Sequence, residues 1–128
     1  MAEVATDWFY RVPALRLAEA HPGSHVYEFA WESPVGGLGA CHALEVPFVF
    51  RTLDDQGSAA LAGPAPPHEL AVAMHRAWVA FATTGDPGWP VYTPERRAVY
   101  RFGTGADARV EVLDDPRAGL RELWDGIR

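Results

Sequence analysis

The stretch that most constrains this chain runs from Gly36 to Phe50, where a glycine-rich loop leads into an apolar run. The three glycines at its start permit backbone angles that other residues resist, which favours a tightly turned or mobile loop. His42 follows these glycines, and Val46 to Phe50 supply a hydrophobic frame. A single imidazole presented by such a loop is a plausible catalytic group. On the residues alone, a buried histidine satisfied by backbone hydrogen bonds is the commoner arrangement.

The segment before this loop predicts a helix and then a strand. Thr6 or Asp7 can cap a helix that reaches Ala20, with Pro13 tolerated only in its first turn. The sequence His25 to Trp31 alternates as a short aromatic strand does. We expect one face of this strand to carry three aromatic side chains, namely Tyr27, Phe29 and Trp31.

The segment after the loop predicts a long helix, a hairpin and a last helix. Asp54 to Pro67 reads as a surface loop, and Glu69 to Thr84 carries the strongest helix signal. The helical stripe comprises Leu70, Met74, Trp78, Phe81 and Ala82, and we expect it to be buried. Two strands are predicted over Ala98 to Phe102 and Arg109 to Leu113, joined by Gly103 to Ala108.

A last helix is predicted to begin at Asp115, with Pro116 in its first position. Its expected apolar stripe comprises Leu120, Leu123, Trp124 and Ile127. The aromatic residues Trp8, Phe9 and Tyr10 near the start of the chain are assigned to packing.

Several segments together resemble the type-B carboxylesterases, the cholinesterase-like branch of the α/β-hydrolases. The family pattern Gly-x-x-His-x-x-Glu-hydrophobic-Phe-hydrophobic-Phe is matched by Gly39 to Phe50. Further likenesses are Thr6-Asp7 with its helix, the aromatic strand, Ala77 to Pro87 and Trp89-Pro90-Val91-Tyr92. The resemblance therefore covers nearly the whole chain.

The resemblance implies an α/β fold, the C-terminal portion of an α/β-hydrolase with an incomplete sheet. Residues 1–128 would form a single unit. It also implies that His42 is the histidine of a serine-hydrolase triad and that Glu45 is a neighbouring framework carboxylate. In these hydrolases the serine comes first and the histidine last, so the chain looks like the C-terminal quarter of an esterase.

The chain lacks the other parts of an esterase site. None of its three serines (Ser24, Ser33 and Ser58) lies in a Gly-x-Ser-x-Gly turn, and the family's oxyanion loop and acid segment are missing as well. We therefore expect the chain alone to be inactive. A small carboxylic ester becomes a substrate only if other residues complete the site.

Local groups are poor substitutes for the missing ones. Glu45 lies three residues from His42, near enough along the chain to orient it, but the family's acid comes from another loop. Cys41 is adjacent to His42, which disfavours a Cys–His dyad, and it reads as a small buried hydrophobe. Asp54 and Asp55 read as solvated loop charges. No metal site and no cofactor are predicted, because the histidine pairs His21/His25 and His68/His75 lack metal-ligand spacing.

Composition excludes other classes of protein. The net charge is −6, which disfavours a nucleic-acid partner. The single cysteine rules out an internal disulfide. No apolar run approaches the roughly 20 residues of a membrane span, and the start carries no signal-peptide pattern, so a cytoplasmic location is favoured.

Two functions of different classes follow. The first is an enzyme part that supplies His42 as general base and then general acid. The second is a non-catalytic binding or oligomerisation module, because the uncovered aromatic strand Tyr27–Trp31 invites pairing with another chain. We expect the isolated chain to self-associate through this strand, or to pair with a complementary chain that supplies the missing parts.

Overall fold

The computed structural model describes residues 2–105 and 108–127. The helices are α1 (Ala2–Thr6), a π-helix (Asp7–Arg11), α2 (Val12–Ala20), α3 (Val46–Phe50), α4 (Ala59–Ala62), α5 (His68–Thr84) and α6 (Ala118–Glu122). The strands are β1 (Val26–Phe29), β2 (Ala98–Thr104) and β3 (Arg109–Asp114). Within these residues no helix combines the length and the hydrophobicity needed to cross a bilayer.

The chain divides into two compact units. The central unit comprises Tyr27–Trp89 and Tyr100–Glu111, and the terminal unit comprises Met1–Val26, Pro90–Val99 and Val112–Arg128. Each unit has its own cluster of buried hydrophobic side chains. The expectation that the chain forms one domain stays a prediction.

The strands form one sheet in the order β1-β2-β3. β2 and β3 are joined by so few residues that they must run antiparallel, as the predicted hairpin requires. Of its predicted loop, Ala106 and Asp107 lie outside the described residues. Gly103 has a φ of 84°, and a Cβ there would lie 2.4 Å from the Cβ of Trp31. Only glycine permits this approach without a rearrangement.

Helix α5 confirms the long helix and shows where its burial ends. It terminates at Gly85, whose φ of 78° gives the left-handed cap that glycine favours. Leu70 and Met74 are buried as predicted. Trp78 and Phe81 are 44% and 50% exposed, so the prediction that they belong to the core was wrong. Ala82 is exposed as well. Helical periodicity identifies the apolar side of a helix but not how far its cover extends.

The first helical segment begins earlier than predicted, at Ala2, and Pro13 lies near the start of α2. Proline lacks an N–H and disrupts the preceding α-helical turn. The backbone accommodates it with the π-helix, in which Val12 N–H donates to Asp7 O. Within the terminal unit Phe9 and Tyr10 are mostly exposed, so their assignment to packing was wrong.

Two loop and helix boundaries also differ from the predictions. The segment Asp54–Pro67 is not all surface loop, because it contains α4 and buries Ala62. The last helix begins at Ala118 and not at Asp115, since Asp115 and Arg117 both have positive φ angles. Of its predicted stripe, Leu120, Leu123 and Ile127 are exposed, and Trp124 is half-buried against Trp8.

Candidate catalytic site

The loop that carries His42 is fixed at its first end by Ser33. The backbone N–H of Ser33 donates to Gly39 O at 3.1 Å in an isolated antiparallel bridge. The Ser33 hydroxyl donates to Leu61 O and accepts from Val35 N–H at 3.1 Å. Because these bonds join both ends of the glycine-rich turn and a neighbouring segment, the turn is closed by hydrogen bonds at its base.

All three glycines of the turn have positive φ angles, between 50° and 74°, which favour glycine. A Cβ on any of them would meet nothing within 4 Å. The glycines are therefore needed for the backbone conformation of the turn, and not to make room for a neighbouring group.

The second end of the loop is fixed by hydrophobic burial. Leu44 and Phe48 are fully buried, and Leu44 N–H donates to Cys41 O at 3.2 Å. The ring of Phe48 lies with its centroid 5.1 Å from that of Phe29 and 5.2 Å from that of Trp31. The loop is therefore anchored on aromatic side chains of β1 and of Trp31, which follows the strand.

His42 lies on the exposed side of this loop, two residues before the fully buried Leu44. Ala43, between them, has a φ of 65°, which is uncommon for a residue with a side chain. Such strained conformations cluster at functional sites. The imidazole of His42 is therefore exposed on a loop that is held by the buried side chain of Leu44 and by the hydrogen bond between Ser33 and Gly39. The alternative of a deeply buried histidine is not what the structure has.

Glu45 is half-buried beside the aromatic strand. Burial, and secondly the negative charge of Glu45, raise the pKa of the Tyr27 phenol. The carboxylate is therefore close enough to Tyr27 to oppose formation of a phenolate. That Glu45 also orients His42 stays a prediction.

The three serines are engaged with backbone carbonyls. Ser24 donates to His21 O at 2.8 Å, Ser58 donates to Thr52 O at 2.7 Å, and Ser33 donates to Leu61 O. A catalytic serine instead donates to the base that removes its proton. The hydroxyls of these three serines therefore stabilise the backbone around them.

The remaining histidines and Cys41 do not form a second centre. His75 Nδ1 lies 2.9 Å from Val49 O, which ties α5 to α3, and His68 lies 3.7 Å from Asp54 at the surface. His21 Nδ1 lies 3.2 Å from Ser24 Oγ on an exposed turn. Cys41 packs beside the central core as a half-buried side chain. Among residues 2–105 and 108–127, no three His, Cys, Asp or Glu side chains are grouped to hold a metal ion.

Two supports of the loop were not predicted. Gly63, with a φ of 74°, lies so close to Pro34 that a Cβ would be 2.9 Å from its Cγ. The hydroxyl of Ser33 was considered only as a nucleophile. Neither role has a local sequence signal, because both depend on a segment that is distant along the chain.

No protein-family model matches the chain. Among curated proteins, it is 32% identical to para-nitrobenzyl esterase of Bacillus subtilis (strain 168), over 91% of the chain and 25% of the relative. It is 29% identical to phenmedipham hydrolase of Pseudarthrobacter oxydans, over 96% of the chain and 28% of the relative. The chain thus spans about a quarter of the length of these relatives.

Solved structures give the same result. A PNB esterase superposes with a TM-score of 0.79 and 31% identity, over 94% of this chain and 26% of that one. A carboxylesterase from Geobacillus stearothermophilus superposes with a TM-score of 0.78 and 38% identity, over 95% and 27%. The small sheet with its helices is therefore part of an α/β-hydrolase fold. The chain belongs to the type-B carboxylesterase family and matches the C-terminal region of these proteins. Both predictions, of the family and of the fold class, are confirmed.

Proposed function

We propose that this chain is the C-terminal part of a serine carboxylic-ester hydrolase and that His42 is its general base and acid. The observation that carries the proposal is the placement of His42. It is exposed on a loop whose two ends are fixed by Ser33 and Leu44. The names of the relatives, an esterase and a hydrolase, support the reaction class.

The proposed reaction uses a serine outside these 128 residues. His42 takes the proton of that hydroxyl as its oxygen attacks the ester carbonyl. The same proton passes to the leaving alcohol when the tetrahedral intermediate collapses to an acyl-enzyme. His42 then takes a proton from water, which attacks the acyl group, and returns it to the serine as the carboxylic acid leaves.

The substrate class that we propose is carboxylic esters of uncharged, fairly hydrophobic acids or alcohols. The acyl and alcohol pockets would be lined mainly by residues outside this chain. We expect residues 1–128 alone to show no turnover of a short-chain aryl ester and no labelling by a serine-directed phosphonate. The positions of the three serine hydroxyls support this expectation.

The test is a chimera in which the part of Bacillus subtilis para-nitrobenzyl esterase that precedes its matched region is fused to residues 1–128. We expect the chimera to hydrolyse an aryl ester and His42→Ala to lower kcat by about 10³-fold or more. Free imidazole should restore part of the lost rate, because it can replace a missing base but not a missing structural contact.

His68→Ala is the matched control, since His68 is also an exposed histidine of the central unit. It should leave kcat within about threefold of the parent chimera, as surface substitutions usually perturb little. Equal rates for His42→Ala and the parent would contradict the proposal. So would a loss that imidazole does not restore at any concentration.

A binding or oligomerisation module is the second candidate. It is favoured by the half-exposed aromatic side chains of α5, Trp78 and Phe81, because large exposed apolar groups close together mark interaction sites. The two candidates differ in whether His42 affects a chemical rate.

A further inference from the structure

The apolar stripe of α5 continues past the point where the central core covers it. The first part of the stripe is buried, with exposed fractions of 2% for Leu70, 0% for Met74 and 8% for Ala77. Phe81 continues the same stripe and is 50% exposed, and Trp78 beside it is 44% exposed. The apolar side of α5 is therefore covered by other residues along only part of its length, and its C-terminal part is left exposed.

The exposed end of this stripe lies beside β1. The ring of Trp78 meets the ring of Tyr27 edge-on, with centroids 6.1 Å apart. All four residues of β1 are only half-buried, whereas four of the seven residues of β2 are buried. β1 is thus a strand at the end of the sheet, and its core-facing side is incompletely covered.

The direction of the backbone groups of β1 follows from one hydrogen bond. Ala30 N–H donates to Phe102 O at 2.7 Å, so the backbone of Ala30 faces β2. Backbone groups alternate sides along a strand. Those of Tyr27 and Phe29 therefore face away from β2, towards the outer edge of the sheet.

We propose that this edge surface, formed by the outer edge of β1 with Tyr27, Trp78 and Phe81, binds the nucleophile-bearing part of an α/β-hydrolase. The occupant adds a strand beside β1 through the backbone groups of Tyr27 and Phe29. Its side chains cover Trp78 and Phe81. This inference rests on the proposed function, because that function requires a serine from outside the 128 residues.

The coverage of the structural neighbours favours this occupant over a second copy of the chain. The chain superposes on only 26% of a PNB esterase, so the larger part of that fold has no counterpart here. A strand added at β1 would extend the sheet and cover the rest of the α5 stripe. Main-chain bonds would give affinity and the aromatic side chains would give specificity, as in other strand additions.

The first experiment measures binding between separate chains. Residues 1–128 are mixed with the part of para-nitrobenzyl esterase that precedes its matched region, co-expressed if needed for solubility, and Kd is determined by titration. We expect association, and we expect Trp78→Gln to raise Kd by about 30-fold, the size of a binding hot spot. Glutamine is also a good helix former, so α5 should persist.

Val79→Gln is the matched control. Val79 is 48% exposed on the same helix, but it lies on the opposite side from Leu70 because a turn contains about 3.6 residues. It should change Kd by less than about threefold. Equal losses for Trp78→Gln and Val79→Gln would overturn the proposal, as would no association of the wild-type chain with the esterase part.

Amide hydrogen exchange provides a second measurement that needs no substitution. In the isolated chain the amides of Tyr27 and Phe29 should exchange faster than that of Ala30. Addition of the esterase part should slow Tyr27 and Phe29. Unchanged exchange at both residues in the complex would overturn the proposal. Concentration-dependent protection of them in the chain alone would assign the surface to a second copy and would also overturn it.

These results separate the surface from the catalytic proposal. His42→Ala should leave Kd unchanged while it abolishes turnover in the fused chimera. If Trp78→Gln weakens binding but His42→Ala remains active, the surface stands and the catalytic role fails. If His42→Ala is inactive but Trp78→Gln binds normally, the catalytic role stands and the surface proposal fails.

Discussion

The two units of the chain are stabilised in different ways. Among the described residues, the core of the central unit joins eleven buried residues, including Leu44, Phe48 and Met74. In the described part of the terminal unit the corresponding cluster has three buried residues, Ala18, Tyr92 and Val99. Burial of apolar area is the main favourable contribution to folding, so the central unit has the larger hydrophobic stabilisation.

The terminal unit has several ion pairs beside its smaller cluster, whereas the central unit has both the larger core and ion pairs of Arg101 with Glu28 and Glu111. Arg97 lies 3.0 Å from Glu19, and Arg121 lies 3.1 Å from Asp115. Ion pairs near a surface contribute little each and weaken in salt. The loop of His42 therefore belongs to the unit with the larger hydrophobic core. This suits a catalytic group that must hold its position.

The largest expected difference between the units is the effect of removing one leucine from each. Leu44→Ala should lower the free energy of unfolding by about 3–5 kcal/mol, because Leu44 is fully buried. Leu15→Ala, in the terminal unit, should cost about 1 kcal/mol, since Leu15 is only half-buried. Urea unfolding followed by circular dichroism measures both. Similar costs would contradict the stated difference between the units.

A smaller effect is expected from the hairpin of the central unit. Gly103→Ala should cost about 2–3 kcal/mol, because its Cβ would clash with the Cβ and backbone of Trp31 and its φ is positive. Gly105→Ala is the control, since Gly105 also has a positive φ but meets nothing within 4 Å. It should cost about 1 kcal/mol. If the two variants unfold at the same urea concentration, the close approach to Trp31 is not important.

The terminal unit should respond to salt. Arg97→Met should cost about 1 kcal/mol at low salt, because Arg97 and Glu19 are both less than one-third exposed. The difference from wild type should shrink in about 1 M salt, where screening is strong. Arg96→Met removes a pair that is about half exposed and should cost less than about 0.5 kcal/mol. A cost for Arg97→Met that is independent of salt would indicate lost packing and not lost charge.

The smallest effect concerns alkaline pH. Burial first, and Glu45 second, raise the pKa of Tyr27 above its ordinary value of 10.0. Below this value both folded and unfolded chains keep the proton, so Tyr27 contributes no pH dependence. Above it the unfolded chain ionises first, and stability falls as pH rises. Tyr27→Phe should therefore lose stability less steeply than wild type above pH 10, by at most about 1.4 kcal/mol per pH unit. Identical slopes would exclude a raised pKa.

Local signals in the sequence predicted much of the central unit. The pattern of β1, the helix that ends at Gly85 and the hairpin each depend on neighbouring residues, and the structure has all three. Features that depend on distant segments were not predictable. The exposure of Trp78 depends on where the sheet ends, and the role of Ser33 depends on the carbonyl of Leu61.

The terminal unit was predicted less well for a physical reason. Its boundaries depend on unusual backbone geometry, such as the π-helix before Pro13 and the positive φ of Arg117. Neither the π-helix nor this positive φ is indicated by hydrophobic patterning or by residue propensities in the sequence. At the candidate site, His42 was identified through its resemblance to a family motif. Its exposure between fixed ends required the fold.

The rate at which a serine-directed phosphonate labels the fused chimera tests the role of His42 most directly, because labelling requires activation of the serine and no later deacylation step. We predict that His42→Ala slows labelling by about 10²–10⁴-fold, the usual contribution of a general base, while Leu38→Ala on the same loop leaves the rate within about threefold. Labelling of His42→Ala at the rate of the parent chimera would contradict the assignment.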